Sequence, residues 1–139
     1  MWYQKEIIIK NKKRGFHLIT NEIIQNFKQL NKVSIGILNL FIKHTSASLT
    51  INESYSQEVR NDFETYFNKM VPEGTHYYTH LDEGLDDMPA HIKASIIGNT
   101  LTIPIKNGTL NLGTWQGIYL CEHRNNCETR KIVLTLLGD

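Results

Sequence analysis

A chain of 139 residues is long enough for one domain, and a domain of that size buries roughly 68% of its unfolded surface, so it needs neither a disulfide nor a structural metal to fold. Its 40% hydrophobic and 21% charged residues are ordinary for a globular protein. A formal charge of +1 removes the electrostatic case for nucleic acid or an anionic membrane as partner, while local clusters still suit a phosphorylated small molecule.

Trp2 to Ile9 is rich in aromatic and β-branched residues and reads as a strand. The first ten residues carry Lys5, Glu6 and Lys10 and lack the apolar stretch of a signal peptide, and no later run approaches the roughly 18 apolar residues of a membrane span. A cytoplasmic protein is expected. Lys12-Lys13-Arg14-Gly15 is a basic turn, and Phe16 to Ile19 is a second strand, expected to pair with the first as a hairpin. With Thr20 as cap, Ile23, Ile24, Phe27 and Leu30 recur at helical spacing, which predicts a helix over 20–31. Val33 to Lys43 reads as a buried strand.

The polar segment His44-Thr45-Ser46-Ala47-Ser48-Leu49-Thr50-Ile51-Asn52-Glu53 follows. Its bland reading is a hydroxyl-rich turn that caps the next helix. Tyr55, Val59, Phe63, Tyr66 and Phe67 predict that helix over 53–70, ended by Pro72 and Gly74. The loop 75–85 carries His76 and His80, and His80 is close enough to Glu83 to join an acidic site. Asp86 or Asp87 caps a short helix with Pro89 in its first turn, running to about Ile97 and stopped by Gly98-Asn99. Leu101 to Ile105, Gly113 to Glu122 and Lys131 to Leu137 read as strands, with Asn107-Gly108 as a turn between the first two. That order predicts a single α+β domain over 1–139 with a mostly antiparallel sheet or sandwich and flanking helices, its apolar strands covered partly by a partner chain.

Three segments carry the chemistry. His44, His91 and His123 come from separate elements, a familiar supply for one divalent metal with an open position for water or substrate. Asp86 and Asp87 read blandly as solvated capping acids, but an imidazole four residues on suits a carboxylate that orients a metal-binding ring. Glu53 and Ser46 join them as candidate catalytic groups. Arg124, whose planar fork suits phosphate, joins Lys93, Thr45 and Ser48 as candidate substrate-binding groups. Alternation puts Glu122 and Arg124 on one face and His123 on the other. Trp115 and Tyr119 are expected to pack in the core or at an interface. Cys121 and Cys127 match no common zinc spacing, and a reduced state is the simpler reading of the pair.

Taken together, Arg14-Gly15-Phe16-His17, His44-Thr45-Ser46-Ala47-Ser48, Leu49-Thr50-Ile51-Asn52-Glu53, Asp86-Asp87-Met88-Pro89-Ala90-His91-Ile92-Lys93, Ile103-Pro104-Ile105, Leu112 to Leu120 and Glu122-His123-Arg124 resemble the YjbQ-like family, the secondary thiamine-phosphate synthase type. The resemblance covers nearly the whole chain. It implies a β-sandwich with flanking helices, a homotrimer about a threefold axis, and a histidine-lined metal or ligand pocket. It also implies an activity that joins hydroxymethylpyrimidine diphosphate to a thiazole phosphate and releases diphosphate. The positions that match are His44, His91 and His123, with Asp86, Asp87, Glu53, Ser46 and Arg124 around them. Imidazoles favour zinc and diphosphate favours magnesium, so the expected cofactor is a divalent metal, zinc or magnesium. A metal-dependent hydrolase of a small phosphoester or ester and a non-catalytic metabolite- or metal-binding trimer are the alternatives.

Overall fold

The computed structural model of the chain describes residues 1–126 and 128–139, so any pairing of Cys121 with Cys127 lies outside the described residues. Among the described residues eight strands run in the order β1 (Trp2–Ile9), β2 (Gly15–Leu18), β3 (Ile35–Ile42), β4 (Ala47–Glu53), β5 (Thr100–Lys106), β6 (Thr109–Leu110), β7 (Gln116–Glu122) and β8 (Arg130–Gly138). The helices are α1 (Thr20–Asn26), α2 (Gln57–Met70) and α3 (Asp87–Ile97). The result is a mixed α/β fold built on two antiparallel sheets, ordered β1-β8-β3-β5-β6 and β2-β7-β4.

The burial pattern along each strand explains the layering. In β3, Leu38, Leu40 and Ile42 are buried while Ile35, Ile37 and Phe41 are exposed, the period-two signature of a sheet with one covered face. The covered face meets Ala47, Leu49, Ile118 and Leu120 of the smaller sheet in one core cluster, which also takes Ile23 and Phe27 from the α1 region. Strand β7 is different: Gly117 to Glu122 are all buried. One face of β7 points into that core, and the other carries Tyr119 and Cys121 into a second cluster with Phe16, Phe63 and Phe67. There α2 lies on β2 and α3 on β4, so the central strand of the smaller sheet is apolar on both sides.

Several expectations need correction. β1 pairs with β8 and β2 with β7, so the two N-terminal strands form no hairpin but enter different sheets. The hydroxyl-rich segment after His44 is strand β4 rather than a capping turn, because its alternate residues Ala47 and Leu49 fill the core. The helix that starts at Thr20 ends at Asn26 and passes through a 3₁₀ turn, Lys28–Lys32. Ile19 occupies its N-cap, while Thr20 Oγ1 accepts from the Ile118 N–H. Asn107-Gly108, with both residues at positive φ, joins β5 to the two-residue β6 instead of to β7. The helix led by Asp86 and Asp87 spans Asp87–Ile97 and stops at Gly98, whose φ of 112° favours glycine.

One buried ion pair clamps the two sheets at the end where β4 begins. Arg130, the first residue of β8, donates through Nε and Nη2 to the two oxygens of Glu122, the last residue of β7, at 2.7 and 2.6 Å. Both side chains are essentially fully buried, and Arg130 Nη2 also donates to Ser46 Oγ at 3.0 Å. Removing one partner of such a pair strands a charge in the interior. Arg130→Met is therefore expected to lower folding stability by about 3–5 kcal/mol, read by chemical denaturation.

Candidate functional site

Three pieces of chain meet beside that clamp. The connection from β3 to β4, residues 43–46, is tied down by its own polar groups: the Lys131 N–H donates to His44 Nε2 at 2.8 Å, and Ser46 holds Arg130. The start of α3 brings Asp87 and His91, one helical turn apart and so on one face. The segment after β7 brings Arg124. Together they line an open cleft of about 300 Å³.

Asp87 organises the cleft. Its side chain is 1% exposed, and both carboxylate oxygens are committed. Oδ1 accepts from Arg124 Nη1 at 2.6 Å; Oδ2 faces His80 Nε2 at 2.6 Å and His91 Nε2 at 3.0 Å. Burial works against the charged carboxylate, but the bond from His80 and the charges of His91 and Arg124 outweigh it and hold Asp87 below the usual range. Asp86 is likewise held low: burial opposes ionisation, and the Asn125 N–H at 2.8 Å and Arg124 Nε at 2.9 Å prevail.

His91 has an unusual pair of neighbours. Its Nδ1 lies 2.9 Å from the Thr45 carbonyl oxygen and its Nε2 lies 3.0 Å from Asp87 Oδ2. Both neighbours are acceptors, and a neutral imidazole has one N–H to give. A second proton or a metal ion at Nε2 satisfies that geometry. His80, Asp87 and His91 each offer a ligand atom within 4.8 Å of the others, a spacing that suits a metal ion, and they are the described residues that meet this test.

The three histidines selected from the sequence therefore do not converge within one chain. His91 belongs to the cluster. His44 lines the same cleft but commits Nε2 to the Lys131 amide, and burial and the charge of Arg130 lower its pKa. His123 points the other way, as the alternation after β7 requires: it lies edge-on to Phe16 and shares a 2.8 Å hydrogen bond with Ser48 Oγ. The imidazole that stands beside His91 on Asp87 is instead His80, which sits in an irregular loop. The spacing of His80 to Asp87 follows no helical or strand period, and proximity to the acidic segment was the available signal.

Four other candidates take structural posts. Ser48 is fully buried on His123. Lys93 is buried, donates to Asn68 Oδ1 at 2.7 Å and stays outside the cleft. Glu53, at the far end of β4, roughly 20 Å along the strand from Ala47, accepts from the Tyr55 and Ser56 amides ahead of α2. Arg124 lines the cleft, but its donors serve Asp86, Asp87 and the Glu83 carbonyl, so it positions the carboxylates rather than presenting a free fork to phosphate. Thr45 and Ser46 do line the cleft, Thr45 exposed and Ser46 buried.

The family model described as UPF0047 protein YjbQ-like matches residues 5–139. UPF0047 protein YjbQ of Escherichia coli O157:H7 is 48% identical over all of both chains, and that of Salmonella typhimurium is 51% identical, also end to end. A crystal structure of a YjbQ/UPF0047-family protein from Clostridium acetobutylicum superposes with a TM-score of 0.84 at 34% identity, covering 96% of this chain and 99% of that one. A YbjQ-like protein from Sulfolobus solfataricus gives a TM-score of 0.86 at 24% identity, covering 100% of this chain and 99% of that chain, a likeness of fold.

The buried His123 yields a direct test. Burial, then the charges of Lys93, Arg14 and Arg130, push its pKa from 6.5 down to about 3. The unfolded chain takes up a proton here below about pH 6.5 that the folded chain refuses, so the stability contributed by the neutral ring is complete above that pH and drains away toward the folded value. NMR of the ring protons is expected to show no titration of His123 between about pH 8 and pH 5, a range across which an unperturbed histidine changes charge.

Proposed function

The chain belongs to the UPF0047 YjbQ-like family, and from that premise we propose that it is a cytoplasmic metal-dependent enzyme acting on a phosphorylated small molecule. Thiamine-phosphate synthesis, the union of hydroxymethylpyrimidine diphosphate with a thiazole phosphate, is one of its activities. The observation that carries the metal is the double-acceptor setting of His91, with the Thr45 carbonyl on one nitrogen and Asp87 on the other. A carbonyl that fixes the far nitrogen of an imidazole is the usual support of a metal-binding histidine. Two imidazoles and a carboxylate form a donor set typical of catalytic zinc and related transition metals. Bound there, the ion would stabilise negative charge on a departing diphosphate. Arg124 and Asp86 keep Asp87 aimed, and exposed Thr45 and Lys43 at the cleft, the latter also paired with Glu6 at 2.7 Å, carry donors for phosphate oxygens. The same donor set favours a second reading, hydrolysis of a small phosphoester or ester.

Metal analysis and turnover test this together. The purified protein is expected to hold a divalent transition metal that His80→Ala and His91→Ala each abolish without loss of secondary structure. Because metal displaces protons from imidazole, binding should be tighter at about pH 8 than at about pH 5. Turnover of the two thiamine precursors should stop on chelation and return with metal. A protein that binds no metal, or one that turns over equally after chelation, would refute the assignment. Turnover of simple phosphoesters in place of the precursors would select the hydrolase.

We also read the two facing sheets as the sandwich of a homotrimer. Support comes from the outer face of the larger sheet, where the register aligns Trp2, Leu137, Ile37 and Pro104 in one row across four strands, with exposed Ile35 beside it. Contiguous apolar surface of this kind marks an interaction site. Light scattering is expected to give three chain masses for the native protein and a smaller species for Ile37→Asp; a native monomer would sink the trimer.

A further inference from the structure

The basic turn ahead of β2 has no part in the histidine cleft, yet it borders a larger cavity of about 450 Å³ between β2 and α2. Lys12, Arg14 and His17 face it from the strand side, Gln57, Arg60 and Glu64 from the helix side, and none of these residues lines the histidine cleft. Most of the charge is already matched. Arg14 serves Glu64 at 3.2 Å and also pairs with Glu73, and Lys12 pairs with Glu22 at 2.8 Å.

Arg60 is the exception. Its Nε and Nη2 donate to Gln57 Oε1 at 3.3 and 3.1 Å, a neutral partner one turn back on α2. Its Nη1 is buried, and among the described residues it is the buried side-chain nitrogen or oxygen without a hydrogen-bond partner. A buried donor left unmatched is destabilising, more so on a charged group. Arg60 also lines the cavity and has no carboxylate partner among the described residues, and a guanidinium fork suits phosphate geometry. The volume is that of a small-molecule site rather than of a single ion, and Phe16 and Leu18 give it an apolar wall.

We propose that this cavity is a second ligand site, which takes the phosphate or diphosphate group of a small molecule on Arg60 with Lys12 in support. It goes beyond the metal-dependent reading, since it shares no residue with the histidine cleft and needs no metal.

Calorimetric titration with inorganic diphosphate, on chelator-treated protein, tests it. The wild type and His91→Ala are expected to bind alike. Arg60→Gln should weaken binding by about tenfold or more, the effect of losing a charge-assisted hydrogen bond. Arg60→Lys, which keeps the charge but not the fork, should fall between them. Circular dichroism checks that Arg60→Gln folds; if it does not, Lys12→Gln on the preceding loop reads the same cavity and should weaken binding severalfold. Absence of binding to the wild type at millimolar diphosphate, unchanged affinity in both the Arg60→Gln and Lys12→Gln proteins, or loss in His91→Ala with retention in Arg60→Gln would overturn the proposal. Failure of the metal analysis leaves this outcome unaffected, because the titration is carried out without metal.

Discussion

The carboxylate of Asp87 is the joint on which the site depends. It is buried at the start of α3 with a guanidinium on one oxygen and two imidazoles on the other. Those partners come from three places in the chain: the loop that follows α2, α3 itself, and the segment after β7. An ionised carboxylate is costly in such a position unless it is surrounded by donors, and these three segments supply them. Arg124 is therefore as much a part of the fold as of the site. It fastens the end of β7 to the helix that carries the chemistry.

Beneath this joint lies the Glu122–Arg130 pair, which settles where the two sheets close on each other. Ser46 reaches Arg130, His44 reaches the backbone of β8, and Thr45 reaches His91. The connection between β3 and β4 is thus held from three directions within three consecutive residues. A short loop fixed in this way can present a carbonyl oxygen to an imidazole as rigidly as a strand does.

Local pattern made much of this legible in the sequence. Runs rich in aromatic, β-branched and other apolar residues marked β1, β3 and β8, and Pro89 inside the first turn with Gly98 beyond the end marked α3. Strand alternation set His123 apart from Glu122 and Arg124. Partnership was less legible, because it is decided by tertiary contact. Nothing local tells that β1 pairs with β8 rather than β2, or that hydroxyls at Ser46 and Ser48 are consumed by Arg130 and His123. Polar residues in a dense run look available for chemistry, whereas half of this run satisfies buried groups. His80 shows the converse: a loop residue without periodicity that the fold carries to the carboxylate.

The position of β8 bears on how the chain assembles. In the larger sheet it lies between β1 and β3, so the eighth strand in chain order is the one that bridges the first and the third. Until it emerges, β1 has no hydrogen-bonding neighbour in the sheet and β3 offers one bare flank, β1 carrying isoleucines and β3 isoleucines and leucines. Pairings that span almost the full chain, such as Trp2 with Leu137, make for a high contact order and slow closure. The larger sheet therefore cannot close before β8 is available, and until then the unpaired edges of β1 and β3 are open to pairing with other chains.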